Sequence, residues 1–156
     1  PAPGPPQRPS GRGAQPVDLY QTAYIDFSKG NYPLAIAGFQ EFLRRYPDSD
    51  LADNAQYWIG EAQFSLARTH AAQGQDEKAT KALGQAVQEF RKVLVNYPRG
   101  DKVPTALYKE ALALLELRQQ ILAQARLQYI LDHFPQSEEA PLAKERLASL
   151  KESGAR

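Results

Sequence analysis

GNYPLAIAGFQEFLRRYPDSDLADNAQYWIGEA, residues 30–62, decides how this chain folds. It opens on the break Lys29-Gly30-Asn31 and places Pro33 where the first turn of a helix tolerates it. Leu34, Ala35, Ile36, Phe39, Phe42 and Leu43 then recur at helical spacing up to Tyr46-Pro47, which stops the helix because Pro cannot continue it. Upstream, Leu19, Tyr20, Ala23, Tyr24 and Phe27 follow the i, i+3, i+4, i+7 pattern of an amphipathic helix. Two antiparallel helices joined by a short turn result.

The aromatic-Pro stop returns at Tyr97-Pro98 and Phe134-Pro135, at offsets of 51 and 37 residues. Tyr20, Tyr57 and Tyr108 are separated by 37 and 51, as are Ala23, Gly60 and Ala111. The chain is therefore a 37-residue repeat whose second copy carries 14 extra residues. Ala23 to Gly30 spans 7 residues where Gly60 to Gly74 spans 14, and Gly30 to Ala35 spans 5 where Gly74 to Ala86 spans 12, so seven residues enter on each side of the turn. Seven residues are about two helical turns, roughly 10 Å, which lengthens both helices without rotating their apolar faces outward. The second hairpin should protrude, with Arg68 to Lys81 as its extension and a solvated tip at Gly74.

The expected fold is all-α: a superhelix of three helix pairs, repeats 17–49, 50–100 and 101–136, followed by a capping helix over 137–150 and a tail over 151–156. Leu142, Leu147 and Leu150 against Lys144, Glu145, Arg146 and Lys151 give that last helix the one-sided face a repeat stack needs at its end. Residues 1–16 hold six Pro and three Gly and no aromatic residue, so they read as a disordered linker, a tether to something upstream or a loose terminus. With no Met anywhere, the sequence reads as a processed product or an excised piece.

Composition narrows the function. The chain has 156 residues, one domain's worth, and 19 basic against 18 acidic side chains give a formal charge of +1 with no basic block. Nucleic acid and direct membrane insertion are not expected. Absence of Cys removes disulfides, thiolate nucleophiles and Cys-based zinc sites. His70 and His133 lie far apart with no HExxH and read as solvated or packing residues. Asp48, Asp50 and Asp53 resemble a calcium loop, but Asp53 stands where that loop needs Gly and Ile59 where it needs Glu, so helix capping explains them better. No GxSxG, GxxxxGK[ST] or GxGxxG is present. No catalytic, cofactor or metal site is expected.

Ala55-Gln56-Tyr57-Trp58-Ile59-Gly60-Glu61-Ala62, with Gly30-Asn31-Tyr32 and Ala35-Ile36, resembles the tetratricopeptide consensus. The longer stretch over 30–62, continuing through VPTALYKEALALLELRQQ to the terminal AKERLASL, resembles the C-terminal domain of the Tol-Pal system coordinator family, CpoB, formerly YbgF. The resemblance implies a periplasmic scaffold of cell division that contacts TolA and helps couple peptidoglycan synthesis to outer-membrane constriction, with oligomerisation possible through an upstream coiled coil. The 14-residue extension departs from the usual family pattern. A scaffold of another envelope complex, such as the lipoprotein subunit of outer-membrane barrel assembly, has similar repeats. A cell-wall enzyme using Glu61 and Glu116 is the remaining alternative.

The concave side of stacked helix pairs is lined by the first helix of each pair. On the tetratricopeptide alignment this puts Tyr20, Tyr57 and Tyr108 inward, with Tyr24, Glu61 and Leu112 one turn further on and Val17, Asn54 and Thr105 one turn earlier. These nine form the expected protein-binding groove, although the tyrosine ladder would serve equally well to pack adjacent repeats together. Trp58 is expected to anchor packing.

Overall fold

The computed structural model describes residues 15–154. The proposed linker therefore lies outside the described residues, except for its last two. Seven helices follow one another: α1 (Pro16–Ser28), α2 (Tyr32–Arg45), α3 (Ala52–Ala72), α4 (Asp76–Asn96), α5 (Val103–Glu116), α6 (Gln120–His133) and α7 (Glu139–Gly154). Pro16 begins α1 rather than ending the linker, because a Pro at the first helical position gives up an amide that has no partner there anyway. The last helix starts two residues later than expected and runs four residues further, so Lys151 to Gly154 are helical rather than tail.

The two middle helices are 21 residues each, against 13 or 14 in the flanking hairpins, which is the length difference the repeat offsets demand. Equivalent positions are filled with the same kind of side chain. Ala35, Ala86 and Ala123 are fully buried, and so are Phe39, Phe90 and Leu127, and Phe42, Val93 and Ile130. Small residues set the helix separation. A Cβ on Gly60 would stand 2.5 Å from the Phe90 ring, so only glycine allows α3 and α4 to approach this closely.

The turns between repeats are copies of one another. The Tyr46, Tyr97 and Phe134 amides each close the preceding helix by donating a hydrogen bond to the carbonyl four residues back (2.8, 2.9 and 2.7 Å). Their carbonyls then accept from Ser49, Gly100 and Ser137. The acids after Pro47 do not cap α3: Leu51 is its N-cap residue, without a side-chain cap. The Ser49 hydroxyl instead accepts from the Leu51 amide (3.1 Å), and Asp53 reaches across to the Lys102 amide (3.4 Å) in the next turn.

Neighbouring helices in the chain pack throughout, and α1 approaches α3, α3 approaches α5, and α5 approaches α7, whereas the backbones of α2, α4 and α6 stay further apart. A layer whose members meet while the other layer's fan apart is the inner side of a curve. α1, α3, α5 and α7 thus form the concave face. Trp58 packs against both hydrophobic clusters, the one centred on α1 and α2 and the one spanning α3 to α7.

Candidate functional site

The expected groove residues separate into two groups. One group ties the inner helices together. The Trp58 indole donates to the Tyr20 hydroxyl (2.9 Å), joining α1 to α3; burial raises the Tyr20 hydroxyl above its ordinary value, and the indole bond opposes it. Glu61 pairs with Lys109 (3.3 Å) and Arg68 with Glu116 (3.2 Å), joining α3 to α5. The Thr105 hydroxyl donates to Glu139 (2.6 Å), joining α5 to α7. Tyr20, Glu61 and Thr105 accordingly each tie one inner helix to the next.

Tyr57 is a core residue, and the three tyrosines do not present three rings along one surface. It is only 7% exposed, set against Trp58 (5.3 Å between ring centroids) and Phe90 (5.8 Å), with the Lys102 ammonium 5.4 Å from its ring centre. Burial, followed by the Glu61 charge, pushes its hydroxyl well above the usual range. The inward stripe of a first helix also faces the next repeat, so spacing alone does not separate a contact from a packing residue. Here the α4–α5 turn closes over Tyr57 through Lys102.

The second group stays open. Tyr24 is 42% exposed, with its edge against Trp58 (5.2 Å). Val17 is exposed at the start of α1, Tyr108 and Leu112 are half-buried along α5, and half-buried Asn54 lies beside a cleft of about 790 Å³ between the turns at 49–54 and 96–102. Tyr108 lines a concavity of about 350 Å³ on the inner face together with Leu142, Glu145, Arg146 and Ser149. Those four come from α7, which sequence reasoning treated only as a cap. The signal was available: adding 37 once more to Thr105, Tyr108 and Leu112 gives Leu142, Glu145 and Ser149. The seventh helix continues the inner face and supplies one wall of that concavity, where Leu142 leaves 47% of its surface exposed.

Sequence reasoning also missed the buried ions. Glu110 on α5 is completely buried and pairs with Arg126 of α6 (2.7 Å) and Arg91 of α4 (3.2 Å). Gln56 on α3 donates to both the backbone and the carboxylate of Glu89 on α4 (3.0 and 2.7 Å). Neither set opens onto the groove. His70 contacts Gln75 (3.0 Å) and His133 stacks on Tyr129 (3.9 Å between centroids). Among the described residues, no three His or carboxylate side chains gather as metal ligands would, and no helix is long and apolar enough to cross a membrane.

A family profile described as YfiO, outer membrane lipoprotein, matches residues 12–156. Two curated proteins are similar over a shorter stretch: the cell division coordinator CpoB of Pseudomonas putida strain KT2440 and that of Pseudomonas putida. Each is 44% identical over 48 residues, which is 30% of this chain and 18% of the relative. The aligned stretch spans about a fifth of those relatives' length. The likeness to the coordinator family read from the sequence is thus present in one segment, and the lipoprotein family covers the repeats as a whole. The chain belongs to the YfiO outer membrane lipoprotein family.

Proposed function

We propose that this chain is a periplasmic protein-interaction scaffold of the Tol-Pal type, which contacts TolA and helps coordinate peptidoglycan synthesis with outer-membrane constriction during cell division. The local 44% identity to cell division coordinators carries the reading. The inner face supplies the means. Tyr108 and Leu142 offer an amphipathic ring and an apolar side chain across one concavity, with Glu145 and Arg146 at its edge to fix the register of a bound segment.

Titration calorimetry against the TolA C-terminal region tests it. Tyr108→Ala and Leu142→Ala should each weaken binding by about 1–3 kcal/mol, the range of a buried contact at the centre of an interface. Tyr57→Ala is the contrasting variant: it should lower the unfolding free energy by about 3 kcal/mol, as loss of a buried ring does, and impair binding only where it unfolds the chain. Unchanged affinity of a folded Tyr108→Ala protein would move the contact off this face. No heat with TolA at all would favour the second reading.

That second reading is a scaffold subunit of outer-membrane barrel assembly, supported by the lipoprotein-family match over 12–156. Copurification of tagged chain with barrel-assembly subunits rather than with TolA would decide for it. A cell-wall hydrolase has the least support, since Glu61 and Glu116 are each engaged by a cation from the neighbouring helix. Release of soluble products from cell-wall fragments, lost in Glu61→Gln, would revive it.

A further inference from the structure

The extension leaves part of a helix-packing surface without a helix on it. Along α3, Ala55, Ile59 and Ala62 form a buried stripe covered by α2 through Ile36, Phe39 and Phe42. The stripe continues at Leu66 and His70, four and eight residues after Ala62, and both are half-buried. α2 cannot reach them. Its first residue, Tyr32, is level by the 51-residue offset with Leu83, whereas α4 starts seven residues earlier at Asp76. The second hairpin therefore stands about two turns, roughly 10 Å, above the first.

Along that step lies a groove of about 310 Å³, with Leu66 and His70 from α3 on one side and Lys78, Lys81 and Ala82 from α4 on the other. Among its described lining residues there is no carboxylate; Asp76 and Glu77 stand at the tip, outside it. Leu34, level with lining residue Gln85 by the same offset, leaves 57% of its surface exposed at the start of α2. Leu66 and Ala82 thus give the groove its apolar part, beside the amides of Gln63 and Gln85, and Lys78 and Lys81 make the α4 rim cationic.

We propose that this ledge binds a short acidic amphipathic helix of a partner protein, about two turns long, in the slot α2 would fill if the first hairpin were as long as the second. The internal precedent fixes the shape of the occupant, because the same face of α3 accepts a helix one turn lower. The charge of the rim fixes its chemistry: carboxylates flanking an apolar stripe would meet Lys78 and Lys81, while a basic helix would be repelled. This site is separate from the inner face and does not depend on what binds there.

The test titrates a stapled helix of about eight residues, two turns long, with a Leu stripe flanked by Glu, into isotope-labelled 156-residue chain and follows amide shifts. Saturable shifts should centre on Leu66, His70, Lys78, Lys81 and Ala82. Lys78→Glu/Lys81→Glu, which alters only exposed side chains, should weaken binding at least tenfold and leave the TolA titration unchanged. The same Leu stripe flanked by Lys should not bind. Equal binding of both peptides, or shifts centred on α5 and α7, would overturn the assignment. So would concentration-dependent self-association abolished by the double reversal, which would give the ledge to a second copy of the chain.

Discussion

The first and third repeats put different chemistry into the same slots. Where the first hairpin has Thr22 on its first helix and Gly38 on its second, the third has Glu110 and Arg126. In the first, a Cβ on Gly38 would stand 2.9 Å from the Ala23 Cβ, so the helices meet almost backbone to backbone. Rings fill the remaining space: Tyr20 lies edge-on to Phe39 (5.6 Å) and Phe42 (5.8 Å). In the third, Leu127 and Ile130 replace those phenylalanines, and the guanidinium of Arg126 reaches the buried Glu110 carboxylate. Arg91 brings α4 into the same cluster, so the ions bind the second repeat to the third as well as closing the third hairpin.

The comparison teaches that repeat geometry is indifferent to how a slot is filled, while the response to mutation is not. Close apolar packing leaves no polar group to satisfy. A buried ion cluster makes every member depend on the others.

The largest effect should follow from breaking the cluster by one member. Glu110→Ala leaves two guanidiniums facing an apolar pocket. Their side chains keep 33% and 27% of their exposure, which discounts the usual cost of a stranded charge to about 3 kcal/mol, the lower end of the range. Replacing all three, Arg91→Met/Glu110→Leu/Arg126→Leu, should return stability to within about 1 kcal/mol of the parent. Chemical denaturation of both variants checks this, and a triple variant as unstable as the single would mean that the ions hold the seam themselves. Burial raises the Glu110 carboxyl above its ordinary 4.5, against the opposing pull of Arg126 and Arg91. The native state then holds this proton more firmly than the unfolded chain does. Stability carried at this site should fall as pH rises from 4.5 through the raised value, and the triple variant should lose that slope.

The second repeat offers an intermediate test. Gly60 occupies the slot held by Ala23 and Ala111, and it alone faces a phenylalanine ring at a distance no Cβ tolerates. Gly60→Ala should cost about 1–3 kcal/mol through overpacking, against the gain of up to about 1 kcal/mol that alanine brings to a helix interior. A stabilised Gly60→Ala protein by thermal melting would show that Phe90 moves aside freely and that this slot, too, is indifferent to its content.

The repeat length, the extension and its even division between two helices were legible because they rest on spacing, which survives substitution. Ala23, Gly60 and Ala111 mark helix crossings, and the aromatic-Pro pairs mark turns, whatever surrounds them. The buried ions were not legible. Glu110 follows Lys109 and precedes Ala111, Arg126 lies between Ala125 and Leu127, and Arg91 between Phe90 and Lys92, so no shared local pattern marks the three, and only the fold brings them together. Of the expected groove residues, Tyr24, Tyr108 and Leu112 keep surface open, whereas Tyr57 is closed over by Lys102, a residue 45 positions away in the sequence. Leu142 was missed because a helix without a partner was read as an end rather than as another inner helix.

The smallest expected effect concerns the hairpin turns, where the three repeats share a geometry but not a residue. Each first helix ends with the same pair of backbone hydrogen bonds. Gly30, Gly74 and Arg118 donate to the carbonyl three back (2.9, 3.0 and 2.9 Å), and Asn31, Gln75 and Gln119 to the carbonyl five back (2.9 Å each). This closure needs a left-handed residue at its first position, and φ is +80° at Gly30, +73° at Gly74 and +62° at Arg118. An L side chain there costs about 1–2 kcal/mol by crowding its own backbone. Arg118→Gly removes that strain and adds back freedom in the unfolded chain worth about 0.4–1 kcal/mol. The net gain should be about 0.5–1 kcal/mol, which for a chain of this size raises the melting temperature by about 1–4 °C. Gly30→Arg, the reverse change in the first repeat, should lower it by a similar amount. If Arg118→Gly instead destabilises the protein, the arginine side chain holds the end of α5 in a way that the glycines of the other two turns do not.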